Sequence, residues 1–261
     1  MEYGCSVALI IATETEEKAV NDLYSHWEPL TMPGDTQEYF ETSFLTPDGK
    51  PQRLIRARQA QMGMTAASTL STKLIYLFRP RYLIMVGIAA GVALKELEDQ
   101  LYGDVIVADS VWNYEFGKFV PASDGVISFG SIGFQPRPAS LELPSRILPY
   151  VRSAIESPLN QNHVYIGPIA SGSSVVANSE VLTKQIHSQQ RETAGLDMEA
   201  YAVAYAAAHA PYPRPTALII KSVCDYADSR KSDQYQKFAA YTAAEFAELL
   251  YEKFLPYESE C

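Results

Sequence analysis

The sequence predicts an α/β protein: three αβα layers around a central mixed, mostly parallel sheet. Three observations predict it. Five short apolar runs recur, SVALIIA (6–12), RYLIMVG (81–87), DVIVADS (104–110), VYIGPIA (164–170) and TALIIKSV (216–223). Uninterrupted runs of this kind suit strands buried on both faces. Segments with helical spacing fall between them, and strands alternating with helices build layered α/β domains. Finally, 261 residues are enough to bury a sizeable core as one large domain, although length alone also allows two smaller ones; 1–261 is expected to form a single domain.

Taken in order, the first run is followed by a helix over 13–24. Its opening, Thr13-Glu14-Thr15-Glu16, fits a capping box in which Glu16 folds back onto the Thr13 backbone. A helix over 66–78 precedes the second run. GIAAG (87–91) follows that run, and its small residues would let a ligand approach the backbone closely. No Lys-Ser or Lys-Thr follows, so it is not a phosphate loop of the Walker type. Residues 117–149 break the rhythm with Gly, Pro and Ser; SDG (123–125) suggests a hairpin, and the stretch reads as a lid or subunit-contact excursion. A helix over 178–189 opens with the capping residues Asn178 and Ser179. GLDMEAYAVAYAAAHA (195–210) reads as an alanine-rich helix with Asp197 and Glu199 in its first turn. Phe238, Tyr241, Phe246, Leu249, Leu250 and Phe254 mark the last helix.

Composition excludes several classes of function. The formal net charge is −10 with 47% hydrophobic residues, and no run of Lys or Arg provides a nucleic-acid footprint. The longest apolar run, YLIMVGIAAGVAL, is shorter than the ~20 residues a membrane helix needs. The N-terminus lacks the basic region of a signal peptide. Cys5, Cys224 and Cys261 form neither a disulfide framework nor a metal-ligand spacing, which suits a reducing cytosol. A cytoplasmic protein with neither nucleic-acid nor membrane partners is expected.

Ligands of open α/β sheets gather at the carboxyl ends of strands. The acids there are Glu14, Glu16 and Glu17 after the first run, Asp225 and Asp228 after the last, and the pair Asp197 and Glu199. Each has a structural reading as well: Glu16 in its capping box, Asp225 in an Asx turn, Asp197 and Glu199 against the positive end of a helix. Cys224 shows no pairing with His26, His163, His187 or His209 and reads as a buried structural cysteine.

The segments IIATETEE, QMGMTAAS, MVGIAAG, GDVIVADS, GPIASGSSVVANSEV, GLDMEA and KSVCDYAD occur in this order over nearly the whole chain. In them the sequence resembles the nucleoside phosphorylase superfamily, and within it the 5′-methylthioadenosine/S-adenosylhomocysteine nucleosidases. The resemblance implies an enzyme that hydrolyses the N-glycosidic bond of an adenine-type purine nucleoside, with no cofactor and no metal, and that forms a homodimer or higher assembly. It implies that Glu16 activates water, that Asp225 protonates purine N7, and that Met198 and Glu199 bind the ribose, Asp197 supporting the helix start. Ala89 and Ala90 would line the pocket with Met62. Val176 would read the base edge, Val175 would stand where an aromatic often stacks, and Tyr235 would lie near the 5′ substituent. Ile88 and Cys224 replace a small hydroxyl residue and a serine common in the family. Three alternatives stay open: a phosphorylase; a nucleosidase of nucleotides such as AMP, its phosphate held by Arg53, Arg56, Arg58, Arg230 or Lys231; and a nucleoside-binding sensor without turnover.

Overall fold

The computed structural model describes residues 2–92, 100–123, 126–129, 131–137, 139–229 and 232–257. Arg230, Lys231, Cys261 and the Asp124-Gly125 tip of the expected hairpin lie outside these residues. Among the described residues, ten strands share one mixed sheet and three form a second. Strand β1 (Cys5–Ile11) leads through helix α1 (Glu14–Asp22) to β2 (Glu28–Leu30), β3 (Tyr39–Leu45) and β4 (Pro51–Arg58). Helix α2 (Met64–Phe78) then feeds β5 (Pro80–Gly91) and β6 (Val105–Asn113). A small antiparallel sheet follows, made of β7 (Gly117–Pro121), β8 (Ile127–Phe129) and β9 (Ile132–Pro136). The chain rejoins the main sheet at β10 (Ser140–Glu142), then runs through α3 (Leu148–Ile155) to β11 (Val164–Ser171). The remainder is α4 (Ser179–Val181), which continues as a π-helix over Leu182–His187, then β12 (Gly195–Asp197), α5 (Ala200–Ala208), β13 (Thr216–Asp225) and α6 (Gln236–Lys253).

The period of two along a strand divides the core between two layers. In β1, Ala8 and Ile10 pack in one cluster with α2 and α5, whereas Val7, Leu9 and Ile11 pack in another with α1, α3 and α6. Strands β5 and β13 divide the same way: Met85 and Ile219 face α2 and α5, Ile84 and Ile220 the opposite layer. This is why the runs show no polar alternation. Both faces are covered, and each buried Ile or Leu contributes ~1.5–3 kcal/mol.

The parallel pairs β4–β1–β5–β13 form the centre, and antiparallel pairing is found at the β2–β3–β4 edge and beyond β13. Part of the sheet closes on itself, which the sequence reading did not anticipate. β13 pairs with both β5 and β6, β6 with β11, β11 with β12, and β12 returns to β5. The reading also missed the antiparallel edge, because β3 and β4 carry polar residues that interrupt their apolar pattern. GIAAG does not follow β5; it is the end of that strand.

Among the described residues, no helix is long and apolar enough to cross a membrane.

Candidate active site

The carboxyl ends of β1, β5 and β13 surround a cavity of about 460 Å³. Glu16 reaches it from the first turn of α1, where the capping box forms as expected: Thr13 Oγ1 accepts from Glu16 N at 3.3 Å, and Glu16 Oε2 accepts from Thr13 N at 2.7 Å. The same carboxylate does more. Oε2 also accepts from Ala12 N at 2.9 Å, and Oε1 accepts from Ile88 N at 2.8 Å across the sheet. A carboxylate has about four acceptor positions, so three backbone donors fix the group and leave Oε1 able to accept once more. Glu16 thus caps its helix and lines the cavity at the same time.

This arrangement explains Gly87. A Cβ on Gly87 would lie 1.9 Å from Glu16 Oε1, so the space that the sequence suggested for a ligand belongs to the carboxylate. Likewise, a Cβ on Gly91 would meet Gln100 Oε1 at 2.5 Å. Gly87→Ala is expected to leave the far-ultraviolet circular dichroism native while lowering turnover on the order of 10²-fold, the cost of an ångström-scale misplacement. Unchanged turnover would show that Glu16 need not occupy this position.

Glu199 is 5% exposed. Its Oε1 accepts from Gly63 N at 2.7 Å and from Gln59 Nε2 at 3.3 Å. Gly63 adopts φ +107°, a conformation that glycine tolerates without strain, and so turns its amide onto Glu199 at the entry to α2. Burial pushes the Glu199 carboxyl above its usual range, Lys221 opposes this, and Asp197 adds to it. Glu199 is the N-cap of α5 and Asp197 ends β12, so neither lies in the first helical turn as the sequence suggested. The capping contacts come from Asp197, which accepts from Ala200 N at 2.9 Å and from Ser171 Oγ at 2.7 Å.

Asp225 sits where β13 shifts register. Val223 pairs with Ala89 and Asp225 with the next residue, Ala90. Cys224 is the extra residue of this β-bulge, a device that re-aims a side chain at a strand end. Asp225 Oδ1 accepts from Ala227 N at 2.9 Å, the expected Asx turn, and the Cys224 thiol lies 3.4 Å from Oδ2. Cys224 is a buried thiol, as expected, yet it also lines the cavity.

Met62, Ala89, Ala90, Val175, Val176, Met198, Glu199, Cys224, Glu16 and Asp225 all line this one cavity. Tyr235 does not. Its ring stacks on Tyr102 at 4.0 Å with planes 9° apart, and Asp233 and Gln236 stand at the cavity wall in its neighbourhood. Three of the proposed phosphate-holding arginines, those among the described residues, are committed elsewhere. Arg53 forks onto Glu41, while Arg56 and Arg58 share Glu17. Arg56 is not a solvated charge, being 4% exposed and stacked over Phe40.

Sequence reasoning missed Lys221 altogether. It lies within an apolar strand run, and its side chain is fully buried, with Nζ 3.4 Å from Asp197 Oδ2. Burial alone would depress its pKa; the Asp197, Glu16 and Glu199 carboxylates outweigh burial and hold it above the ordinary lysine value. Its signal was a single cation inside TALIIKSV, since an unpaired buried lysine is too costly to keep. Tyr114 was missed too. Its ring lines the cavity beside Ser174 and packs where a side chain on Gly172 would stand.

The layered fold and the acids at its strand ends define a class of protein, and comparison with known proteins agrees. The structure resembles a 5′-methylthioadenosine/S-adenosylhomocysteine nucleosidase of Neisseria meningitidis, solved with methylthio-immucillin-A, at TM-score 0.73 and 21% identity over 95% of this chain and 98% of that one. The family model of the Phosphorylase superfamily matches residues 6–256, and the chain belongs to that superfamily. Among curated relatives, the uncharacterised protein y4jS of Sinorhizobium fredii is 34% identical over 85% of this chain and 54% of its own length. The ATP nucleosidase Cap17 of Escherichia coli is 27% identical over 92% of this chain and 49% of its own length. The chain thus spans about half the length of these curated relatives.

Proposed function

We propose that the protein hydrolyses the N-glycosidic bond of an adenine-type purine nucleoside, releasing the base and a ribose derivative. The observation that carries this reading is the convergence of Glu16, Glu199 and Asp225 on one cavity. Breaking the bond builds positive charge on the ribose and negative charge on the departing purine. Asp225, aimed by its bulge, gives a proton to the base and makes it a competent leaving group. Glu16, held by three backbone amides, takes a proton from the attacking water; glycoside hydrolases divide the work between two carboxyl groups in the same way. Glu199, fixed by Gly63, accepts from the ribose hydroxyls and orients the sugar. A sensor without turnover would need neither the proton donor nor the base.

Water rather than phosphate is the proposed nucleophile. The described lining carries five acids, Glu16, Asp197, Glu199, Asp225 and Asp233, and neither lysine nor arginine. Burying a phosphate against Ile88 without compensating charge is costly. A second reading, a nucleotide substrate, is favoured by the name of the Escherichia coli relative; the acids of the described lining weigh against a multiply charged 5′ group. The test is product analysis by chromatography in phosphate-free buffer, across adenosine, inosine, methylthioadenosine, adenosylhomocysteine, AMP and ATP. Free base and free ribose derivative are expected, from the neutral 5′ substituents first. Ribose 1-phosphate formed only on adding phosphate would overturn hydrolysis, and cleavage confined to ATP or AMP would establish the second reading.

The proposal includes a homo-oligomer working in the cytosol as a single catalytic domain. An apolar face between α2 and α5 supports it, with Phe116 and Tyr205 each about half exposed beside Met64 and Tyr201. The β7–β9–β8 sheet, carrying the exposed Phe119 and Ile132, is the proposed lid or subunit contact.

A further inference from the structure

Glu16 and Glu17 are neighbours in the first turn of α1, and successive residues of a helix point about 100° apart. Glu16 reaches the cavity; Glu17 turns towards β4. Its Oε1 accepts from Arg56 Nη1 at 2.6 Å and its Oε2 from Arg58 Nε at 2.7 Å. Two residues apart on a strand, these arginines share one face, and each oxygen of the carboxylate has its own guanidinium. Arg56 is held in its turn. Its guanidinium lies 4.1 Å from the Phe40 ring centre and 4.9 Å from that of Trp27, and Phe40 is its partner across the β3–β4 pair. An arginine fork packed on rings is preorganised and does not follow a moving carboxylate.

The same end of β4 touches the rest of the acid set. Arg58 pairs with Ile11 of β1. The next residue, Gln59, donates its backbone N to Ile11 O at 2.9 Å and Nε2 to Glu199 Oε1 at 3.3 Å. Ile11 leads directly to Ala12 and Thr13, whose amides hold Glu16. We infer that Glu17, gripped by Arg56 and Arg58, is a positioning residue for the hydrolysis proposed above, on the reading that Glu16 is its base. Helix α1 has nine residues, too few to hold its own geometry without packing. The three amides around Glu16 orient its carboxylate, and the Glu17 clamp fixes the helical turn that carries it. With the clamp released, the turn shifts and Glu16 loses its alignment with the attacking water.

Arg58→Gln and Glu17→Gln test this through two readouts. The Arg58 side chain is 39% exposed, a position where the fold tolerates glutamine. With methylthioadenosine, or whichever nucleoside of the series above is cleaved fastest, kcat should fall about tenfold in Arg58→Gln and about 10²-fold in Glu17→Gln, with KM unchanged. Hydrogen exchange at the Ile88 amide, which donates to Glu16 Oε1, should quicken several-fold in both, whereas the Val105 amide, bonded to His163 O, should keep its rate. Lys18→Gln, which breaks the exposed pair with Glu14 on the same helix, should change neither readout. Wild-type kcat in both variants would overturn the inference, and if Glu17→Gln does not fold, Arg58→Gln alone decides. A lowered kcat with Ile88 exchange unchanged would also sink it, as would exchange quickened equally at Val105, the mark of a general loss of stability. If the wild type cleaves no nucleoside of the series while Ile88 exchange still responds, the proposed reaction fails and Glu17 stands as the anchor of Glu16.

Discussion

Glu16→Gln is expected to cut turnover on the order of 10²-fold or more while the fold and nucleoside binding persist. The substitution separates the two duties of this side chain. A capping box accepts Gln as readily as Glu at its third position, so the amide oxygen can still take the Thr13 and Ala12 amides. The amide nitrogen then faces Ile88 N, which the carboxylate met at 2.8 Å, and one acceptor contact is lost. That loss is worth ~1–3 kcal/mol of stability at most. Proton abstraction, in contrast, disappears entirely. Steady-state kinetics, ligand titration and thermal melting of the same preparation distinguish the outcomes. A folded variant with wild-type turnover would show that Glu16 only caps its helix.

Lys221→Met is expected to destabilise the protein by ~3–5 kcal/mol, the cost of breaking a buried ion pair from one side. Methionine has the right length and no charge. Without the ammonium, Asp197, Glu16 and Glu199 repel one another in a dry site, and both the α5 cap and the position of Glu199 suffer. Urea denaturation should show a lower midpoint with an unchanged slope. Adding Asp197→Asn should recover part of the loss, since the remaining amide still accepts from Ala200 N and no longer needs a counter-charge. If Lys221→Met alone matches the wild type in stability, the three carboxylates are not balanced by this lysine.

The pattern of what was legible in the sequence has physical causes. The five central strands could be read because burial on both faces leaves an unbroken apolar run. The capping box at Thr13 and the Asx turn at Asp225 could be read because they are local, spanning four residues or fewer. Placing Glu199 against Gly63, or Glu16 against Ile88, depends on backbone amides far away in the chain, which no local pattern encodes. The closure of β13 onto β6 is equally non-local. The stack of Tyr235 on Tyr102 joins residues far apart in the chain, which no local pattern encodes either. Lys221 hid inside a strand because its charge is explained only by acids that come from two other segments.

The positions of Glu2, Tyr3, Pro256 and Tyr257 have a practical bearing on handling the molecule. All four border one cavity at the end of the sheet where β1, β4 and β13 begin, with the length of β1 between them and Glu16. A tag, a surface linker or a fused module attached at either of these places leaves from the back of the molecule, and the acid-lined mouth stays open to solvent. Immobilised through such a linker, the protein would present its mouth outward from the support and keep its access to dissolved nucleoside.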